Sequence, residues 1–260
     1  MNRSLPLGAL AFAVSSFGLA SAPASVLAGE PTAVEILKMV DVAGSNFKDL
    51  TTDSKMVVKE PGAANGREYR FLTISRGSEK RIVRFLEPGD VKGMGMLVEG
   101  RDTMYAYLPG FERVRRLGTH VKNQSFMGSD ASFEDMAAGN LADLYDAKVI
   151  SAEGGEWVIE LTIKAGKDSE FAKRKLWVDK GHHQATKIED YDAKGTCVRT
   201  QTRTDFRKDE GPGEHFTPFK LVIVDHRRNE HSTEILMMSA KVNQNVPDDT
   251  FSQRALVRGR

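Results

Sequence analysis

The sequence predicts a mainly β protein with some α, roughly ten or more antiparallel strands in a sheet that must curl, with helices at two places. Three observations predict it. Half-apolar alternation recurs along the chain, as where Trp157, Ile159, Leu161 and Ile163 interleave with Val158, Glu160, Thr162 and Lys164. The connections between such segments are short and turn-rich, which favours antiparallel neighbours over helical crossovers. Helical spacing is confined to two places. An open sheet of this many strands must curl, and curling makes a concave face.

The chain begins with Arg3, an apolar stretch from Leu5 to Leu19, and small residues at Val26-Leu27-Ala28. This pattern reads as a secretory signal peptide over residues 1–28, cleaved after Ala28 or, alternatively, after Ala22. The apolar stretch is too short and too broken by Ser and Gly for a transmembrane span. Gly29, not Cys, follows the proposed cut, so no lipid anchor is expected there. Residues 29–260 are then expected to form a single domain in the periplasm, soluble after cleavage. Pro31-Thr32 opens the first element. Thr32 and Glu35 have the spacing of a capping box, and Ala33, Ile36, Leu37 and Val40 share one helical face, so a short amphipathic helix should end near Gly44 or Asn46.

Strand segments follow at 53–60, 68–76, 80–86, 94–98, 103–108 and 113–117. They are separated by Asn65-Gly66, Gly77-Ser78, Pro88-Gly89-Asp90, Gly100-Arg101-Asp102 and Pro109-Gly110. Between Gln124 and Asn140 the pattern changes to a loop and one or two helical turns, with Ser132 and Asp135 at capping distance. Strand segments then resume at 147–151, 156–164, 173–179, 185–191, 197–206, 219–225 and 233–241. A tail from Asn245 carries Pro247-Asp248-Asp249 and Phe251.

Composition narrows the function. The chain has 37 Lys and Arg against 36 Asp and Glu, and loss of Arg3 with the leader balances them, so no nucleic-acid footprint is expected. Cys197 is the only cysteine and cannot form an internal disulfide. There is no Gly-x-Ser-x-Gly elbow, and the serines and histidines support no particular triad, so no catalytic residue is assigned and an enzyme is not expected. His182, His183, His215, His226 and His231 match no recognised metal-ligand spacing. The glycines form no phosphate loop, and no cofactor is expected. Apolar volume remains, including ten methionines, whose side chains adapt to irregular shapes. Composition alone leaves open whether that volume is a filled core or a ligand-holding cavity.

Several stretches resemble the outer-membrane lipoprotein-sorting family of periplasmic carriers, the LolA-like superfamily. They are Arg84-Phe85-Leu86-Glu87-Pro88 with Val91-Lys92-Gly93, Met104-Tyr105-Ala106-Tyr107-Leu108-Pro109, Arg113-Val114-Arg115-Arg116-Leu117, Ser125-Phe126-Met127-Gly128-Ser129-Asp130 with Phe133-Glu134-Asp135, Leu176-Trp177-Val178-Asp179, and Val246-Pro247-Asp248-Asp249 with Phe251. The resemblance runs from about residue 32 to the C-terminus. It implies a LolA/LolB-like fold, an incomplete antiparallel β-barrel of about 10–11 strands wrapped over helices, with an apolar cavity for acyl chains and a role in carrying lipids or lipoproteins from inner to outer membrane. The partners it implies are an inner-membrane RND-type permease or lipoprotein-release transporter and an outer-membrane acceptor. A periplasmic adaptor for such a permease, without its own lipid cargo, is the alternative. One departure stands out: the family follows Gly-Ser-Asp with two aromatics around a Ser or Thr, whereas this chain reads Ala131-Ser132-Phe133, which implies a wider pocket or a mobile loop. Expected cavity contacts are Phe71, Phe85, Met94, Met96, Tyr105, Tyr107, Met127, Phe133, Trp157 and Ile159. Arg113, Arg115 and Arg116 are partner-facing or head-group candidates. A one-residue slip in register would reverse the face of any of them.

Overall fold

A computed structural model describes residues 29–137, 139–209 and 215–259. The expected signal peptide lies outside the described residues. Thr32–Arg260 forms one compact unit.

Helix α1, Ala33–Ala43, starts at the capping box read from the sequence: the Glu35 amide donates to Thr32 Oγ1 at 3.3 Å and the Thr32 amide to Glu35 Oε2 at 2.8 Å. Its apolar stripe, Ile36, Leu37 and Val40, is buried. The opposite side is exposed and mixed, with Glu35 and Lys38 beside the exposed Val34 and Val42.

The first strands are β1 (Leu50–Lys59), β2 (Arg67–Arg76), β3 (Lys80–Glu87), β4 (Gly95–Glu99), β5 (Thr103–Leu108) and β6 (Arg113–Arg116). A short helix α2, Phe133–Met136, follows. The second series is β7 (Tyr145–Ser151), β8 (Glu156–Ile163), β9 (Lys173–Asp179), β10 (Ala185–Tyr191), β11 (Cys197–Lys208), β12 (Phe216–Asp225) and β13 (His231–Val242). Each series is an antiparallel meander, and the two join where β1 pairs with β13 from Leu50↔Val242 to Lys59↔Ser232. The result is one thirteen-stranded sheet, ordered β6-β5-β4-β3-β2-β1-β13-β12-β11-β10-β9-β8-β7. Its edges, β6 and β7, do not pair, so the sheet is open and the barrel incomplete. Every strand segment read from the sequence pairs, including the four-residue β6, and the count is thirteen instead of about 10–11. Tight turns hold even the shortest segments beside their neighbours.

Alternation decides what each face carries. The inner face holds two buried clusters. One packs α1 against Leu144, Tyr145, Trp157, Ile159, Leu161 and Leu176. The other joins Met56, Tyr69, Phe71, Phe85, Met96 and Phe126. A third cluster lies beyond these, where Ile82 and Leu97 pack with Phe251 and Leu256. Leu256 belongs to α3, Gln253–Arg258, whose start is capped by Ser252. Six residues are too few to show helical periodicity, and the C-terminal tail reads as irregular in the sequence for that reason. Gly95 accommodates α3: a Cβ there would lie 2.6 Å from Leu256 Cδ1 and 3.3 Å from the Val83 carbonyl oxygen.

Candidate functional site

A cavity of about 460 Å³ lies between the two inner clusters. Val40, Leu144 and Leu176 reach it from one cluster and Phe71 and Met136 from the other. Leu221 and Ile223 of β12 and Ile235 and Met237 of β13 add apolar wall. The wall is not uniformly greasy: Thr52, Ser54, Thr73 and Ser75 alternate inward from β1 and β2.

Charges sit at inward positions too. On β11 the inward residues are Arg199, Gln201 and Arg203; the first is 1 % exposed. Arg199 Nε donates to Asp190 Oδ2 at 2.8 Å, and its two terminal nitrogens donate to Asp135 at 2.6 and 2.9 Å. Arg174 Nε donates to the other oxygen of Asp190 at 2.6 Å. Gln201 Nε2 also reaches Asp190 at 3.3 Å, so this buried carboxylate is satisfied on both oxygens. The Phe171 ring lies 4.4 Å from the Arg199 guanidinium carbon. Burial alone would raise the Asp135 carboxyl, but the field and hydrogen bonds of Arg199, the charge of Arg174 and the Ser132 amide outweigh it and hold it at about 2. Burial likewise works against charge on Asp190, and Arg174 and Arg199 reverse it, leaving this carboxyl below its ordinary value.

These ion pairs fix a loop. Residues 125–137 cross the concave face, and two aspartates pin them. Asp130 accepts from Thr233 Oγ1 at 2.7 Å and pairs with His231 Nδ1 at 2.7 Å, both on β13. Asp135 binds β11 through Arg199, while it also caps α2 through the Ser132 amide at 2.8 Å. Between them, Glu134 ties the two halves of the open sheet. It accepts from Arg101, in the β4–β5 turn, at 3.0 Å and from the Glu170 amide, in the β8–β9 connection, at 2.7 Å.

Of the ten expected cavity residues, Phe71 lies on the cavity wall. Phe85 and Met96 are buried in the second inner cluster, and Met94, Met127 and Phe133 pack against it half-buried. The rings of Phe85, Phe126 and Phe133 form a chain with centroids 5.7 and 5.5 Å apart. Trp157 and Ile159 sit in the first cluster. Tyr105 and Tyr107 pack with the α3 cluster, because the pleat of β5 gives the second inner cluster to Met104. Arg113, Arg115 and Arg116 are exposed on β6, the edge strand, and Arg115 lies 5.9 Å from the ring of Phe111. Ala131, which stands where the resemblance expects an aromatic, lines the cavity. Arg81, Arg174, Arg199 and Arg203 are the residues the sequence reading missed. Their signal is a charged residue at an inward position of an otherwise alternating strand.

Among the described residues no group of three or more His, Cys, Asp or Glu side chains is placed to hold a metal ion. Among them, too, no helix is long and apolar enough to cross a membrane.

A family model described as that of an uncharacterized-protein-like family matches residues 77–258. No curated protein matches the sequence. Among solved structures, a domain assigned as an outer membrane lipoprotein-sorting protein from Vibrio parahaemolyticus is 23% identical, with a TM-score of 0.78 over 87% of this chain and 98% of that one. A DUF1329 family protein from Desulfovibrio piger is 24% identical, with a TM-score of 0.78 over 86% of this chain and 97% of the other. A LolA superfamily protein from Nitrosomonas europaea is 22% identical, with a TM-score of 0.71 over 87% of this chain and 100% of its own. The open antiparallel sheet with few helices is the architecture these structures share. With a family match over more than half its length, the chain belongs to that uncharacterized-protein-like family, and it shares its fold with the lipoprotein-sorting domain and the LolA superfamily protein.

Proposed function

We propose that the protein is a soluble periplasmic carrier, not an enzyme, that shelters acyl chains of lipids or lipoproteins between the inner and outer membranes. The observation that carries this reading is the cavity of about 460 Å³ inside the curved sheet. That volume falls in the usual range for small-molecule sites. Each buried methylene is worth about 0.8 kcal/mol, so a dozen of them favour shelter over water by roughly 10 kcal/mol before ordering costs. An acyl chain therefore needs a cover to cross an aqueous compartment, and no bond need be broken. The fold shared with the lipoprotein-sorting and LolA superfamily structures and the charge-pinned loop across the concave face support the same reading. Its partners would be an RND-type permease or lipoprotein-release transporter on the inner membrane and an acceptor on the outer one.

Native mass spectrometry of protein recovered from its own periplasm tests this directly. A retained amphiphile, and uptake of a fluorescent fatty acid by delipidated protein, are the expected results. An empty protein that takes up no fatty acid would refute the carrier.

The adaptor alternative is favoured by one surface. β6 is an unpaired edge carrying three exposed arginines, and the neighbouring Phe111 is 66% exposed. The free side of an edge strand can pair with another chain, and the three arginines restrict such pairing to a partner with acidic side chains. On the adaptor reading, charge reversal at Arg113, Arg115 and Arg116 abolishes permease capture while fatty-acid uptake is absent from the start.

A further inference from the structure

The cavity wall carries four arginines, Arg81, Arg101, Arg174 and Arg203, and two carboxylates, Glu134 and Asp135. Most of this charge is already spoken for. Arg101 pairs with Glu134 at 3.0 Å. Arg174 pairs with Asp190 at 2.6 Å, and Asp135 pairs with Arg199 behind the wall at 2.6 Å. Two cations are left over. Arg81 donates to Ser75 Oγ and to the Met136 carbonyl oxygen, each at 3.3 Å, and meets no carboxylate among the described residues. Arg203 makes neither a hydrogen bond nor an ion pair among the described residues, although it is half-buried on the cavity wall.

Such an arrangement is costly unless something answers it. A guanidinium keeps its charge at any ordinary pH, and taking it out of water without a partner is unfavourable. Burial, and secondarily the like charge of Arg174, push the Arg203 guanidinium below its ordinary value against the longer-range attraction of Asp135 and Asp190, neither of which it pairs with; burial also lowers Arg81. The neighbours of Arg203 on the cavity wall include Pro218, Leu221 and Ile223 of β12, which offer it no acceptor side chain. An acyl chain alone would cover this charge with hydrocarbon and raise the cost further. An acyl chain ending in an anion would cover the apolar wall and supply the missing acceptor together. Arg is the residue best suited to the second task, because its planar fork matches carboxylate and phosphate oxygens.

We infer that the cavity selects anionic amphiphiles, an acyl chain bearing a carboxylate or a phosphate, with Arg203 as the counter-charge and Arg81 as a second positive centre on the wall. This rests on the carrier reading and narrows it to a class of cargo. β3 and β11 stand five places apart in the sheet, so the two guanidinium groups enter the cavity from separate stretches of wall.

The test is displacement of Nile red, a neutral apolar dye, from delipidated full-length mature protein by dodecanoate, dodecyl phosphate and dodecanol. The wild type is expected to bind the two anions at least about tenfold more tightly than the alcohol, a gap of about 1.4 kcal/mol. Added salt should narrow it, because screening weakens charge recognition and leaves chain burial intact. Arg203→Met should erase most of the gap while keeping the alcohol's affinity, and Arg203→Lys should preserve part of it. The ratio between carboxylate and phosphate assigns the source, a free fatty acid or a phospholipid head group. Equal binding of all three by the wild type overturns the inference and leaves the carrier standing, as does a gap that Arg203→Met and Arg81→Met each leave intact. If neither the dye nor any dodecyl compound binds, the carrier reading fails and the inference fails with it.

Discussion

Asp135→Asn isolates the interaction that holds the loop across the concave face. The carboxylate accepts two hydrogen bonds from Arg199, at 2.6 and 2.9 Å, and Arg199 is 1 % exposed. Removing one partner of a buried ion pair costs about 3–5 kcal/mol, because the remaining charge is stranded. Here Asp190 still answers Arg199 Nε at 2.8 Å, so the lower end, about 3 kcal/mol, is expected. For a chain of this length that corresponds to a fall in Tm of roughly 6–12 °C. Urea denaturation of the mature protein at neutral pH reads the free energy, and calorimetry reads Tm. The pH dependence gives a second check. The folded carboxyl, at about 2, lies below its ordinary unfolded value. Its contribution is therefore whole above about pH 4 and is lost as pH falls through the folded value. The gap between wild type and variant should close across that window and stay constant above it. The pair Asp135→Leu with Arg199→Met should cost less than Asp135→Asn alone, since no stranded cation remains. A loss below about 1 kcal/mol would refute the reasoning, as would additive single-site effects.

Three further outcomes follow from the same structure. Ala131→Phe places a ring in the cavity, and fatty-acid uptake should weaken at least about tenfold with Tm little changed; unchanged uptake would mean the acyl chain lies elsewhere. Gly95→Ala drives a methyl toward Leu256 and should cost about 1–3 kcal/mol by urea melting, much of it relieved in a Leu256→Ala background, which itself costs about 2–5 kcal/mol. Cys197 is half-buried, and burial pushes its thiol above its ordinary value, with Glu189 adding to the shift against a lowering hydrogen bond from Thr200. Ellman's reagent should therefore label the native protein far more slowly at pH 8 than the urea-unfolded chain, with the rate climbing beyond the ordinary thiol range; equal rates would place the thiol in open solvent.

The strands and the antiparallel pairing of successive ones were legible because both depend on local signals, whereas the join of β1 to β13 was not, because those strands lie far apart in the chain. Gly77-Ser78 turns β2 into β3, and the alternation around Trp157 puts Trp157, Ile159 and Leu161 on the inner face of β8, all buried. The capping boxes at Thr32 and Ser132 were readable for the same reason, since each closes within three residues. The helix at Gln253 was not, because its evident signals are a capping serine and one buried leucine, Leu256. Nor was the facing of Tyr105 and Tyr107: aromatic character marks a residue as sheltered, but the shelter here is α3, which the tail reveals only once folded.

The site was harder to read than the fold, and β11 shows why. Arg199 and Arg203 stand four residues apart on one strand, share a face, and look alike in the sequence. Their fates differ because of residues far away. Arg199 lies within reach of Asp190, carried by the β10 hairpin partner, and of Asp135, carried by a loop more than sixty residues earlier. Arg203, four residues further along the same strand, finds Leu221 opposite it on β12 and makes no ion pair among the described residues. Apolar side chains need only the right face to be buried well, so periodicity predicts them. A buried charge needs a particular partner at a particular distance, and that partner is set by the register of other strands. A charged residue at an inward strand position therefore poses a question that the strand alone cannot answer: whether the fold supplies its counter-ion, as for Arg199, or leaves the place open to a guest, as for Arg203.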